Sequence, residues 1–202
     1  MIVYIVRHGE TEANRKKICQ GQTEEPLNST GLDQARSVAQ QLREVQFDYA
    51  FCSDLFRTRM TIQEILKANI QQFNVVFTPL LREIDAGIDV GMPVGHFFRV
   101  AKQRGENLRT AKHEGGESRD DAYKRAQLFI RDQLFPITLK TTIDKQHIED
   151  LDQKESIKHI EDNDHITRVL IVSHGGCICE LVRALQASAH SFHLSWIYQL
   201  II

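Results

Sequence analysis

The chain has 202 residues, enough for one domain around a single core. Apolar residues make up 42% and charged residues 26%, the balance of a globular protein rather than a disordered or fibrous one. A formal net charge of −2 supplies no global field toward nucleic acid or a membrane surface, so any anion must be held by a local cluster of Arg, Lys and His.

The N-terminal run Ile2-Val3-Tyr4-Ile5-Val6 is too short for a signal-peptide core and ends in Arg7-His8. No stretch approaches the roughly 20 apolar residues of a membrane span. Cys19, Cys52, Cys177 and Cys179 lack C-x-x-C spacing and read as reduced, mostly buried thiols. These features predict a cytoplasmic protein without disulfides.

In chain order, residues 2–6 predict a short strand buried on both faces, because they are β-branched and lack polar alternation. The polar stretch to Gly31 predicts mostly loop. A helix should follow, with Thr30 as N-cap and Leu32, Ala35, Val38, Ala39, Leu42 and Val45 at helical spacing. Tyr49-Ala50-Phe51-Cys52 predicts a second strand, and Asp54 a cap for a helix carrying Leu55, Ile62, Ile65 and Leu66. Val75-Val76-Phe77 predicts a third strand, stopped by Pro79.

Residues 84–117 show several Gly, a cluster of Arg and Lys, and little periodicity. Ser118 and Asp121 form a capping-box pattern before a helix with Ala122, Ala126, Phe129, Ile130 and Leu134 on one face. Residues 137–166 read as a polar insertion whose His147, His159 and His165 lack metal-ligand spacing and are expected in solvent. Val169-Leu170-Ile171-Val172 predicts another strand buried on both faces, running through Ser173-His174-Gly175-Gly176 into a helix from Cys177.

Strands alternating with helices predict a three-layer α/β/α domain with a largely parallel central sheet, spanning residues 1–202 as one unit. Ligands of such sheets sit beyond the carboxyl ends of the strands. Arg7-His8-Gly9 and Ser173-His174-Gly175 both fall there. A neutral imidazole is a competent nucleophile if its second nitrogen holds the proton. Arg7 and Arg57 are candidate phosphate-binding forks, His174, if protonated, a third donor, and Glu83 a proton donor to a leaving alkoxide. Gly9 and Gly175 would let the backbone approach a phosphate. Arg99, Lys102, Arg104, Arg109 and Lys112 are candidates for a second phosphate or for a solvated face.

The segment V-R-H-G-E-T-E-A-N at 6–14 resembles the N-terminal signature of the histidine phosphatase (phosphoglycerate mutase-like) superfamily. Further matches follow in order: G-Q-T-E-E-P-L-N-S-T-G at 21–31, C-S-D-L-F-R-T-R-M-T at 52–61, L-R-E at 81–83, G-G-E-S at 115–118 and V-S-H-G-G at 172–176. Within the superfamily the chain is most similar to the fructose-2,6-bisphosphatase TIGAR branch. The resemblance implies a phosphohistidine on His8, with Arg7, Arg57 and His174 on the phosphate and Asn14, Gln20 and Gly21 near the substrate. It implies Glu83 as acid and then base, with no cofactor and no metal. The implied partner is a small phosphorylated metabolite, and the implied reaction is hydrolysis of fructose 2,6-bisphosphate to fructose 6-phosphate, which lowers glycolytic flux. The alternatives are a bisphosphoglycerate or small-monoester phosphatase, a mutase, and a catalytically weakened phosphometabolite-binding protein.

Two departures stand out. Relatives often carry an aromatic residue where this chain has Ala86 and an acidic residue where it has Val90, which alters the expected wall of the site. Relatives usually close with a small polar turn and a further strand, and residues 191–202 show no such turn. The expectation is an atypical end, truncated or alternatively ended, that leaves an apolar tail exposed.

Overall fold

The computed structural model describes residues 1–137, 166–192 and 197–201. Five strands form one parallel sheet: β1 (Ile2–Arg7), β2 (Tyr49–Ser53), β3 (Val75–Thr78), β4 (Arg168–Ser173) and β5 (Ile197–Ile201). Their order across the sheet is β3-β2-β4-β1-β5. The helices are α1 (Glu12–Arg15), α2 (Ser29–Gln41), α3 (Phe56–Ala68), α4 (His96–Gln103), α5 (Arg119–Phe129) and α6 (Gly175–Phe192). None of the described helices is long and apolar enough to cross a membrane.

The unbroken apolar strands are buried on both faces because helices cover both. Val3, Ile5, Val169 and Ile171 pack with Phe129 and Ile130 of the α5 end and with Ile178, Leu181 and Leu185 of α6. Their strand neighbours Val6, Leu170 and Val172 point the other way, onto Val38 and Ala39 of α2 and Ile62 and Ile65 of α3. Period-two alternation thus builds two cores on one sheet.

Several local expectations are corrected. The cap of α2 is Asn28, whose side chain accepts from the Gly31 N–H at 2.8 Å, while Thr30 sits inside the first turn. Asp54 does not cap α3. It forms a two-point pair with Arg82, 2.7 Å at each contact, and the Glu24 carboxylate instead accepts from the Phe56 N–H at 2.8 Å. The loop before Gly31 contains α1, closed by a reciprocal capping box between Thr11 and Asn14. The region 84–117 holds α4, which begins after Gly95 at φ 81°. The Ser118–Asp121 capping box forms as expected, with both reciprocal bonds present.

The terminal segment is also not a loose tail. Residues Ile197–Ile201 lie as β5 in parallel register with β1, Ile2 opposite Ile197 and Val6 opposite Ile201. The missing turn signal hid a strand that follows α6 in the chain and pairs in parallel with β1. Residues 138–165 of the polar insertion, with His147, His159 and His165, lie outside the described residues.

Ile171 is fully buried in the core on the α5–α6 face. Truncating it removes buried methyl groups and leaves a cavity. Ile171→Ala should cost about 2–5 kcal/mol, read as a lower urea midpoint at unchanged slope.

Candidate active site

The register of β1 with β4 sets Arg7 opposite Ser173, and the His8 N–H continues the ladder to the Ser173 carbonyl at 3.0 Å. His8 and His174 therefore leave the sheet side by side, with ring centroids 5.1 Å apart. A cavity of about 300 Å³ opens beyond these strand ends. Arg7, His8, Asn14, Gln20, Gly21, Arg57, Glu83 and Gly175, all expected from sequence, line it.

His8 is 7% exposed, and its Nδ1 lies 2.7 Å from the Gly9 carbonyl. A carbonyl only accepts, so Nδ1 carries the proton and Nε2 keeps a free lone pair. Burial pushes the His8 pKa down to about 3, with Arg57 and then Arg7 acting in the same direction and the Gly9 bond opposing them. The imidazole is neutral at ordinary pH.

Arg57 is 1% exposed although it is charged. Its guanidinium donates to the Thr23 carbonyl at 2.7 Å, the Gly21 carbonyl at 2.8 Å and His174 Nδ1 at 3.1 Å. A guanidinium has five N–H groups, so three are committed here and two are left for a ligand. The same bonds hold the Gly21 turn, where φ is +51°. A side chain at Gly21 would press on Ala86 and Val90. The two departures from the family pattern thus lie directly behind this turn.

His174 is placed differently from expectation. It is fully buried behind His8 and Arg57 and is not part of the cavity wall. Its Nδ1 accepts from Arg57, so Nε2 holds the proton and donates to Ser53 Oγ at 2.8 Å. Burial first, then Arg57, hold its pKa well below the usual histidine value. It is therefore a neutral anchor for Arg57, not a protonated donor aimed at the cavity.

Glu83 is fixed by three backbone donors. Oε2 accepts from the Gly176 N–H at 3.0 Å, and Oε1 accepts from Cys177 at 3.0 Å and Ile84 at 2.9 Å. Two of these belong to the first turn of α6, whose amides have no partner within the helix. Gly176 is essential to this seat, because a Cβ there would overlap Glu83 Oε1. Gly9 proves to be small for a related reason: a Cβ would overlap the Gly31 backbone at the start of α2. Gly175 is less constrained, with the Arg7 guanidinium 3.6 Å from a Cβ placed there.

Thr11 organises the amide side chains. Its hydroxyl lies 3.0 Å from Asn14 Oδ1 and 2.9 Å from Gln20 Oε1. With those oxygens turned inward, the NH2 ends of Asn14 and Gln20 are the ends left to donate. Arg125 had no sequence signal beyond its helical position. It donates to the carbonyls of Leu80 at 2.8 Å, Arg82 at 2.8 Å and Glu83 at 3.2 Å, and it pairs with Glu117 at 2.8 Å. It positions the segment that carries Glu83. The cations Arg99, Lys102, Arg104, Arg109 and Lys112 do not line the cavity. Arg109 is engaged by Glu180 and Asp120, at 3.0 and 3.4 Å, and Lys112 by Asp121 at 3.3 Å. Among the described residues, no group of three or more His, Cys, Asp or Glu side chains is placed to hold a metal ion.

Comparison with known proteins assigns the family and the fold. Residues 3–134 match the histidine phosphatase superfamily (branch 1), and the chain belongs to that superfamily. It is 38% identical over 129 residues to the fructose-2,6-bisphosphatase TIGAR of Bos taurus, covering 62% of this chain and 48% of that protein. The match thus spans about half the length of that relative. It is 30% identical over 195 residues to the broad-specificity phosphatase YOR283W of Saccharomyces cerevisiae, covering 95% of this chain and 73% of that protein. The solved structure of a mycobacterial glucosyl-3-phosphoglycerate phosphatase superposes with a TM-score of 0.62 at 26% identity, over 95% of this chain and 79% of that one.

The depressed His8 pKa has a stability consequence with a definite sign. The unfolded imidazole takes up a proton below about 6.5, whereas the folded one does so only near 3. Stability is therefore full above the unfolded value and falls as pH drops through that window. His174 adds in the same direction. Urea titrations from pH 7 to pH 4 should show the midpoint falling with acidity. His8→Asn should flatten part of that fall, and ¹⁵N spectra should show His8 neutral with Nδ1 protonated at about pH 5.

Proposed function

We propose that the chain is a phosphomonoesterase that works through a phosphohistidine on His8. The observation that carries this is the imidazole itself: neutral, with Nδ1 committed to Gly9, in a cavity that also holds Arg7 and Arg57. In the first step His8 Nε2 attacks phosphorus in line, the ester P–O bond breaks, and the leaving alkoxide takes a proton from the Glu83 carboxyl. In the second, the Glu83 carboxylate takes a proton from water, the hydroxide displaces His8, and inorganic phosphate leaves. Arg7, the two uncommitted N–H groups of Arg57, and the amides of Asn14 and Gln20 offset the charge that builds on the phosphoryl oxygens. The arginines supply that charge without a metal ion or a cofactor. His174 holds Arg57 in place.

A small phosphorylated metabolite is the substrate class, acted on in the cytoplasm. Similarity to TIGAR favours fructose 2,6-bisphosphate as a second, narrower reading, with a role in restraining glycolysis. The near-complete match to a broad-specificity phosphatase supports the wider monoester reading. So does the cavity wall, which lacks the five candidate cations for a second phosphate.

Phosphate release should be abolished in His8→Ala for every ester, and activity equal to the parent would sink the mechanism. Glu83→Gln should slow alkyl phosphates by about 10²–10⁴-fold. It should slow 4-nitrophenyl phosphate far less, because that leaving group needs no proton.

A further inference from the structure

The cavity is electrically lopsided. Its two arginines, Arg7 and Arg57, lie with His8 at the sheet end. The far wall comes from the 84–98 region and His113 and contributes no Lys or Arg among the described residues. Its charged member is Asp89, whose carboxylate accepts from His113 Nδ1 at 2.8 Å. His113 is 7% exposed and stacks on Phe97, with ring centroids 3.8 Å apart and planes at 27°. This pair forms a stacked aromatic panel.

The rim of the same wall is apolar and in contact with water. Met92 is 44% exposed and Val94 65% exposed, and both line the cavity. Leaving such side chains wet has a free-energy cost that a bound apolar group relieves. A second phosphate in this place would meet the Asp89 carboxylate with no Lys or Arg on that wall to offset it, and it would lose hydration that the apolar rim does not replace.

Resting on the phosphomonoesterase reading above, we propose that the alcohol portion of the substrate is apolar and uncharged. It seats against Met92, Val94 and the Phe97–His113 panel, and the site discriminates against bisphosphates. The phosphate belongs at the arginine end and a hydrocarbon or ring at the other. Asp89 acts as a positioning residue that orients His113. Phe97 and Val94 are the specificity-determining residues.

The test compares kcat/KM for benzyl phosphate, glycerol 3-phosphate and fructose 2,6-bisphosphate. Benzyl phosphate and glycerol 3-phosphate both release primary alkoxides, so their ratio reads the fit of the alcohol portion and not leaving-group chemistry. The parent should prefer benzyl phosphate by about tenfold or more, the discrimination that one or two buried carbons supply. Val94→Asp and Phe97→Ala should each lower that ratio several-fold. A ratio is insensitive to partial loss of folded protein, and Val94 lies at an exposed rim where substitution spares the core. Val94→Arg should raise activity toward fructose 2,6-bisphosphate relative to benzyl phosphate. A parent ratio near one, fructose 2,6-bisphosphate as the best substrate, or ratios unmoved in all three variants overturns the proposal. If the parent hydrolyses these esters through His8 without such preference, this inference fails alone. If hydrolysis survives in His8→Ala, the reading beneath it fails too.

Discussion

The pairing of β1 with β4 is the constraint on which the rest of the structure depends. Six residues of each strand run in parallel register, from Ile2 opposite Arg168 to Arg7 opposite Ser173. Two histidines that are distant in sequence are thereby delivered to one edge of the sheet. β2 pairs on the other side of β4, which brings Ser53 to His174 and starts α3 where Arg57 reaches the same imidazole. A slip of one residue in this register would turn the alternating core side chains onto the wrong faces and separate the two rings. The two hydrophobic layers and the site are thus enforced by one ladder.

Burial at that edge sets the chemistry. His8 and His174 sit beside Arg57 in surroundings that disfavour a further positive charge, so both stay neutral and the charge resides on the arginines. Backbone acceptors then decide direction. The Gly9 carbonyl selects the His8 tautomer, while the Gly21 and Thr23 carbonyls and His174 orient the Arg57 guanidinium. Glu83 is handled by the opposite kind of group, the amides at the start of α6 and the Ile84 N–H. Acid and nucleophile are held by main chain more than by other side chains, which makes the glycines that permit close approach part of the design.

Much of this was legible before any coordinates. Strands β1 and β4 showed as unbroken apolar runs, and two His-Gly pairs at their ends marked the site, because parallel sheets bind ligands beyond their carboxyl ends. Arg57 and Glu83 were reachable through motif resemblance. What escaped had physical reasons. The cap of α3 comes from Glu24, thirty-two positions away, and no local pattern encodes it. Arg125 acts on carbonyls more than forty residues upstream. The reason for Gly9 lies in its contact with Gly31, invisible until α2 is in place. His174 looked like a donor to ligand because sequence shows the residue type but not that Arg57 occupies its lone pair. Sequence leaves the cation cluster around Arg109 open between a second phosphate and a solvated face, because its partners, Glu180 above all, come from a distant helix.

The account stands most directly on a covalent bond between phosphorus and His8 Nε2. Labelled substrate should be mixed with the parent protein, quenched in alkali where phosphohistidine survives, and the phosphorylated residue located by mass spectrometry. Label is expected on His8, lost on acid treatment and absent from His8→Ala. Phosphate release without label on His8 under single-turnover conditions, or label on another residue, would contradict it.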